Sequence, residues 1–253
     1  MLILQRLLLF AAPVAWIAGL EIMKEYPSWW WAAALLIAAS VFFAVWYACR
    51  QELNKVFFNF LILPLAFVFS AFVLALFVVD GVFFQALVLA AAFLLYVLLR
   101  QYYFYFNLPF RFQPYSLEGL SWLVGIVGAY FLFAGCFGGL MLLQLSIWIV
   151  LPAIIAPAAF SAYHFFWINK ISFEKSRLAV LVVVLALAEL FYAVSCLPTS
   201  YFVNAFILTA SYYLMLGTGR LYFMNALTRK KLAAYFLVAG IAFVAVLLTA
   251  QWT

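Results

Sequence analysis

Charge is what this sequence has least of. Only 8% of its 253 residues are Asp, Glu, Lys or Arg, while 72% are hydrophobic; soluble domains carry about 25% charged residues. So little charge leaves no polar surface for water to wet, which excludes a soluble globular domain and points to lipid as the solvent. No stretch reads as a detachable soluble domain, since the longest interval without a membrane-length apolar run is 100–118.

Cysteine and histidine are equally scarce. Cys49, Cys136 and Cys196 lie in different apolar segments with no paired spacing, so neither a disulfide framework nor a metal cluster is expected. A single histidine, His164, excludes a multi-histidine metal site or a bis-histidine haem built from this chain alone. The sequence has no HExxH, GxSxG or P-loop, and no DxxxD pair for magnesium and a diphosphate. No catalytic residue, metal or cofactor is expected, and an enzyme is the less favoured reading. Internal duplication is also missing: "VFF" recurs at 41, 56 and 82, but the intervals differ and the contexts do not align. The inverted repeats of many secondary transporters are therefore not supported.

What the sequence does have is apolar length. A helix needs about 20 mainly apolar residues to cross a hydrocarbon core of roughly 30 Å. Nine stretches qualify: 4–23, 29–48, 56–79, 82–99, 119–141, 145–167, 178–197, 200–219 and 232–250. The first has the Arg-then-apolar look of a signal peptide but no convincing small-residue cleavage site, and reads as an uncleaved helix. Pro27-Ser28, Asp80-Gly81 and Pro198-Thr199-Ser200 supply tight turns that also cap the following helix. Only Gln144 and Ser146 punctuate 119–167. The fold expected is an all-α polytopic integral membrane protein, one transmembrane domain over 1–253.

The basic residues orient it. With nine spans, every one of the 13 lysines and arginines except Lys24 falls on the side of the amino terminus. Cytoplasmic loops hold such an excess, so the amino terminus is read as cytoplasmic and the carboxyl terminus as outside the plasma (inner) membrane. Topology thus accounts for the net charge of +6, and no nucleic-acid partner is expected.

Aromatic residues mark the interfaces. The 100–118 segment is read as a cytoplasmic interfacial loop rich in Tyr and Phe, with Arg100, Arg111, Tyr102 and Tyr115 in contact with lipid headgroups. "SWWW" at 28–31 is the matching outer belt. In the fifth span Ser121, Gly125, Ala129, Gly135, Gly138 and Gly139 form a small-residue stripe for close packing, within the chain, in a homo-oligomer or against a membrane-complex partner. Pro152 and Pro157 should kink the sixth.

Most of the seven acids have ordinary explanations. Glu118 suits a helix start, and Glu21 can pair with Lys24 three residues on. Glu189, in "ALAELFYAV", has no such neighbour. It lies about eleven steps of 1.5 Å into a span beginning at Leu178, where an ionised acid costs about 2.5 to 3.5 kcal/mol. Ala186, Glu189, Ala193 and Cys196 share one small, relatively polar face, so the acid is expected to face protein. The antiparallel eighth span would bring Ser211 and Tyr212 close, with Asn204 nearer the outside. The binding constellation expected is Glu189, Asn204, Ser211 and Tyr212, with Asn59 from the third span. It implies transport or binding of a small ion, a proton or an amphipathic molecule. The alternatives are a non-catalytic subunit or scaffold of a membrane complex, and a lipid-processing enzyme using His164, Glu118 and Arg111.

Overall fold

A computed structural model describes residues 2–49 and 53–249, without the side chains of 1–8 and of a few later positions. Arg50 and the side chain of Arg6, two of the basic residues counted on the amino-terminal side, lie outside the described residues, as does Glu52. Among the described residues the chain forms nine α-helices: α1 Leu2–Glu25, α2 Trp30–Ala48, α3 Lys55–Ala75, α4 Gly81–Asn107, α5 Ser116–Leu142, α6 Ile147–Ile168, α7 Phe173–Ser195, α8 Tyr201–Phe223 and α9 Arg229–Thr249. Short 3₁₀ turns at Pro27–Trp29 and Pro109–Arg111 precede α2 and follow α4. Among the described residues, seven helices, α2 to α8, are long and apolar enough to cross a membrane. The chain is an all-helical, membrane-integral protein.

The helix boundaries follow local chemistry. Asp80 caps α4, its Oδ1 accepting from the amides of Val82 at 2.8 Å and Phe83 at 3.0 Å. Ser200 caps α8 through the Val203 amide, and Asn54 caps α3 through that of Phe57. The weakly punctuated 119–167 stretch does break, after Leu142, with Gln144 at φ 51° and α6 starting at Ile147. Helices α6 and α8 close with left-handed residues, Lys170 and Asn225, and the 6→1 bonds Ile171 N–H to Phe166 O and Ala226 N–H to Leu221 O.

One boundary differs from expectation. The aromatic segment does not leave the helix at residue 100: α4 runs on to Asn107, and the irregular connection is confined to 108–115. Nothing before Leu108 breaks a helix, and Leu108 precedes a proline, which disfavours helical backbone at that residue.

The chain divides into two compact units, Met1–Val124 and Gly125–Thr253, with the boundary inside α5. In the first, α1 packs on α2 and α4, and α3 packs on the same two helices. Gly19 lets α1 approach α2 closely, because a Cβ there would sit 2.9 Å from the Ile37 side chain. Polar ties reinforce the apolar contacts: Trp16 Nε1–H donates to Val88 O at 3.1 Å, and Asn107 Nδ2–H to Ala48 O at 2.9 Å. Cys49, just past α2, is buried, which pushes its thiol up to about 12.

In the second unit α6 packs on α7, α7 on α8 and α8 on α9. Rings do much of the joining: Phe137 of α5 lies 4.7 Å from Phe191 of α7, and Phe133 lies 6.1 Å from Tyr212 of α8. Ala129, Gly135, Gly138 and Gly139 of the α5 stripe are buried in the chain. Gly217 marks where α9 docks, since a Cβ there would collide with the Tyr235 ring.

Replacing Gly217 by Ala should therefore lower Tm and speed amide exchange in α9, in spite of alanine's better helix propensity. At Gly240, where a Cβ meets nothing within 4 Å, the same change should be neutral or stabilise by up to about 1 kcal/mol. Equal Tm changes in the two variants would show that Gly217 is not a docking position.

Candidate functional site

Helix α7 carries Glu189, and its packing decides which way the acid points. Val183, Leu187, Phe191 and Val194 are buried, a stripe at i, i+4, i+8 and i+11. Leu181, Val182, Leu185 and Tyr192 are exposed, and so are Glu189, Ala193 and Cys196. The expectation that the small-residue face turns inward is thus overturned. The reason lies in how this helix packs: it meets its neighbours through large interlocking side chains, Phe191 against Phe137 foremost, and not through close backbone approach. Lipid is as apolar as a helix surface, so shape interlock decides the buried face, and the small residues fall on the other.

Glu189 is exposed and makes no hydrogen bond or ion pair among the described residues. It stands about 16 Å along the axis from Leu178 and about 9 Å from the helix end at Ser195, at a 1.5 Å rise per residue. For a helix that crosses a hydrocarbon core roughly 30 Å thick, such a position falls inside the hydrocarbon, on the α7–α8 turn side of its midplane. Its helix is also sparsely covered: 22% of the α7 span is buried, against 67% of the α5 span.

The other members of the expected constellation go elsewhere. Asn204 is wholly buried in the first turn of α8, where its Oδ1 accepts from the Thr199 hydroxyl at 2.5 Å. The pair clasps the turn to the helix it starts, while Asn204 Nδ2 is buried without a partner. Tyr212 is buried and donates from its hydroxyl to Ala158 O of α6 at 3.0 Å, with Ser161 also hydrogen-bonded to it. Ser211 is half-buried and donates to Ile207 O of its own helix. Asn59 belongs to the first unit, in the second turn of α3. Among the described residues no hydrogen bond joins Glu189 to Asn204, Ser211 or Tyr212. The fold separates them into a structural clasp, an interhelical tie and an outward-facing acid.

The residues expected at headgroups also divide. Arg100 and Arg111 are exposed, each guanidinium over a neighbouring ring, Phe104 at 5.1 Å and Phe110 at 5.7 Å. Tyr115 is exposed at φ 66°, just before α5. Tyr102 is the exception: it is fully buried against Phe60 of α3, with ring centroids 4.8 Å apart, because α4 carries it inside the first unit. His164 is buried beside Trp167, in the last turns of α6. Among the described residues no three His, Cys, Asp or Glu side chains come together to hold a metal ion.

Two interactions had no local signal in the sequence. Glu21 does not pair with Lys24; its Oε1 accepts from Gln85 Nε2 of α4 at 2.6 Å, a partner 64 residues away. Lys24 instead lies over the Phe84 ring at 5.2 Å. Comparison with protein families, characterised proteins and solved structures finds no match to this chain.

The clasp gives a direct test. Thr199→Val should cost about 1 to 3 kcal/mol of stability, because it leaves the buried Asn204 amide with no partner at all. The same change at Thr218, whose hydroxyl donates only to carbonyls of its own helix, should cost distinctly less. Thermal unfolding in detergent compares them, and equal losses would mean that the Thr199–Asn204 bond is not what holds the turn.

Proposed function

We propose that this protein is a non-catalytic subunit of a membrane assembly, docked through the Glu189 face of α7 against a transmembrane helix of another protein. The observation that carries this reading is a carboxyl with no bond among the described residues, exposed on a sparsely buried helix long and apolar enough to cross a membrane. Left against lipid it costs about 2.5 to 3.5 kcal/mol when ionised. A partner helix presenting a basic or amide side chain at the same depth removes that cost and adds a hydrogen bond worth about 0.6 to 2 kcal/mol. A second copy of this chain is the poorer fit, since its described lysines and arginines stand in loops or within about two turns of a helix end, not at the depth of Glu189. Against the transport reading, the hydroxyls of Thr199, Thr209, Ser211, Tyr212 and Thr218 in the second unit donate to backbone carbonyls or to Asn204.

The topology proposed with it has all nine helices crossing the plasma (inner) membrane, the amino terminus cytoplasmic and the carboxyl terminus outside. Support comes from the lysines and arginines, of which only Lys24 falls on the outer side. Labelling of single cysteines placed at the exposed Ser28 and Gln113 should find them on opposite sides of sealed membranes. Finding both on one side contradicts the proposed orientation.

The docking reading predicts a split between two substitutions. Glu189→Gln keeps a hydrogen-bonding group and should retain most of the native assembly on extraction into polymer-bounded discs; Glu189→Leu should lose it. In the isolated chain neither should lower Tm, and Leu should raise it slightly. An assembly that survives Glu189→Leu sinks the reading, and a fall in Tm for both variants would return Glu189 to an internal structural role.

A further inference from the structure

A cavity of about 550 Å³ opens in the first unit, where α1 and α3 end and α2 and α4 begin. Its size falls in the range of about 300 to 1,000 Å³ typical of small-molecule sites. Met23 and Phe84 are buried in its wall, while Trp30 and Val79 stand exposed at the rim, Val79 by 95%. Trp29, Trp30 and Trp31 are all exposed beside the opening, the signature of a membrane–water interface.

The lining is apolar except for one side chain, Lys24. Its ammonium has three donors and no acceptor. It rests on the Phe84 ring and bonds to no described oxygen or nitrogen. The acids nearby in sequence do not neutralise it: Glu21 is bonded to Gln85, Asp80 accepts from the first amides of α4, and Glu25 is exposed without an ion pair. The Phe84 face is already taken by a cation, which leaves an oxyanion as the group this site lacks.

We propose that this cavity binds an anionic amphiphile, its carboxylate or phosphate held by Lys24 and its acyl chain laid against Met23, Leu76, Val79 and Phe84. The proposal rests on the first unit alone and is independent of the docking role of Glu189. A free fatty acid and an anionic phospholipid share this chemistry, and both serve as probes.

The test uses the full-length chain in phosphatidylcholine nanodiscs, with spin-labelled stearate as one probe and phosphatidylglycerol retention by native mass spectrometry as the other. Dodecyltrimethylammonium, of opposite charge, is the control. One or both anionic probes should bind, identifying the source, and the control should not. Lys24→Gln should weaken binding about tenfold, as loss of a charge-assisted contact does. Leu76→Trp, which fills the cavity, should abolish it. Lys24 is exposed, so its variant tests the site even if Leu76→Trp fails to fold. Binding unaffected by Lys24→Gln, no binding of either anionic probe, or equal binding of the cationic control overturns the proposal.

Discussion

Hydrocarbon offers a polar side chain nothing to bond to, so a membrane protein has to supply every partner itself. That constraint orders most of this structure. Trp16 reaches a carbonyl on α4, Asn107 one on α2 and Tyr212 one on α6, so that helices otherwise joined by apolar contact are tied at fixed registers. Ser70, Thr209, Ser211 and Thr218 use the cheaper local solution, donating to a carbonyl four residues back in their own helices. Glu189 is the exposed acid that the constraint leaves unresolved, as it also leaves a few buried atoms such as Asn204 Nδ2 and Trp46 Nε1. An acid inside a span with no bond among the described residues either carries its cost or meets its partner on another molecule.

The helices use two packing modes, and the difference explains where Glu189 ended up. At Gly19 and Gly217 the absence of a Cβ admits a neighbour's side chain, Ile37 or Tyr235. Helix α7 relies instead on large side chains, with Phe191 set against Phe137 and Leu187 fully buried. With Phe191 and Leu187 interlocked inward, Ala193, Cys196 and the acid fall on the outer face, together with Leu185 and Tyr192. On that outer face the small side chains of Ala193 and Cys196 leave the carboxyl open on one side, between the larger Leu185 and Tyr192.

The helical architecture was legible because apolar length and capping residues are local properties. Asp80 and Ser200 act as caps where the turns suggested, and the weak break near Gln144 and Ser146 is real. The extent of α4 was not legible, since an aromatic-rich segment reads equally as an interfacial loop or as a helix continued until Pro109. Side-chain destinations were least accessible. Glu21 has a plausible partner three residues away and takes one 64 residues away, a choice made by the packing of α1 on α4. The face of α7 was misread for a related reason: one helix shows which residues share a side, while the neighbours decide which side is covered. Tyr102 was placed at headgroups by its interfacial composition, yet the continuation of α4 buries it against Phe60.

These features combine into a protein whose structured interior is largely self-satisfied and whose unsettled chemistry lies at its margins, at the α7 face and in the Lys24 cavity. The central claim is that the α7 face is covered in the cell by another protein. Photo-crosslinking from Leu185, exposed beside Glu189, in native membranes tests it most directly, with the buried Leu187 as the internal control. A discrete adduct with a second polypeptide from position 185, lost on adding Glu189→Leu, is the result predicted. Crosslinks from 185 to lipid alone, or a protein adduct that persists without the carboxyl, would contradict it.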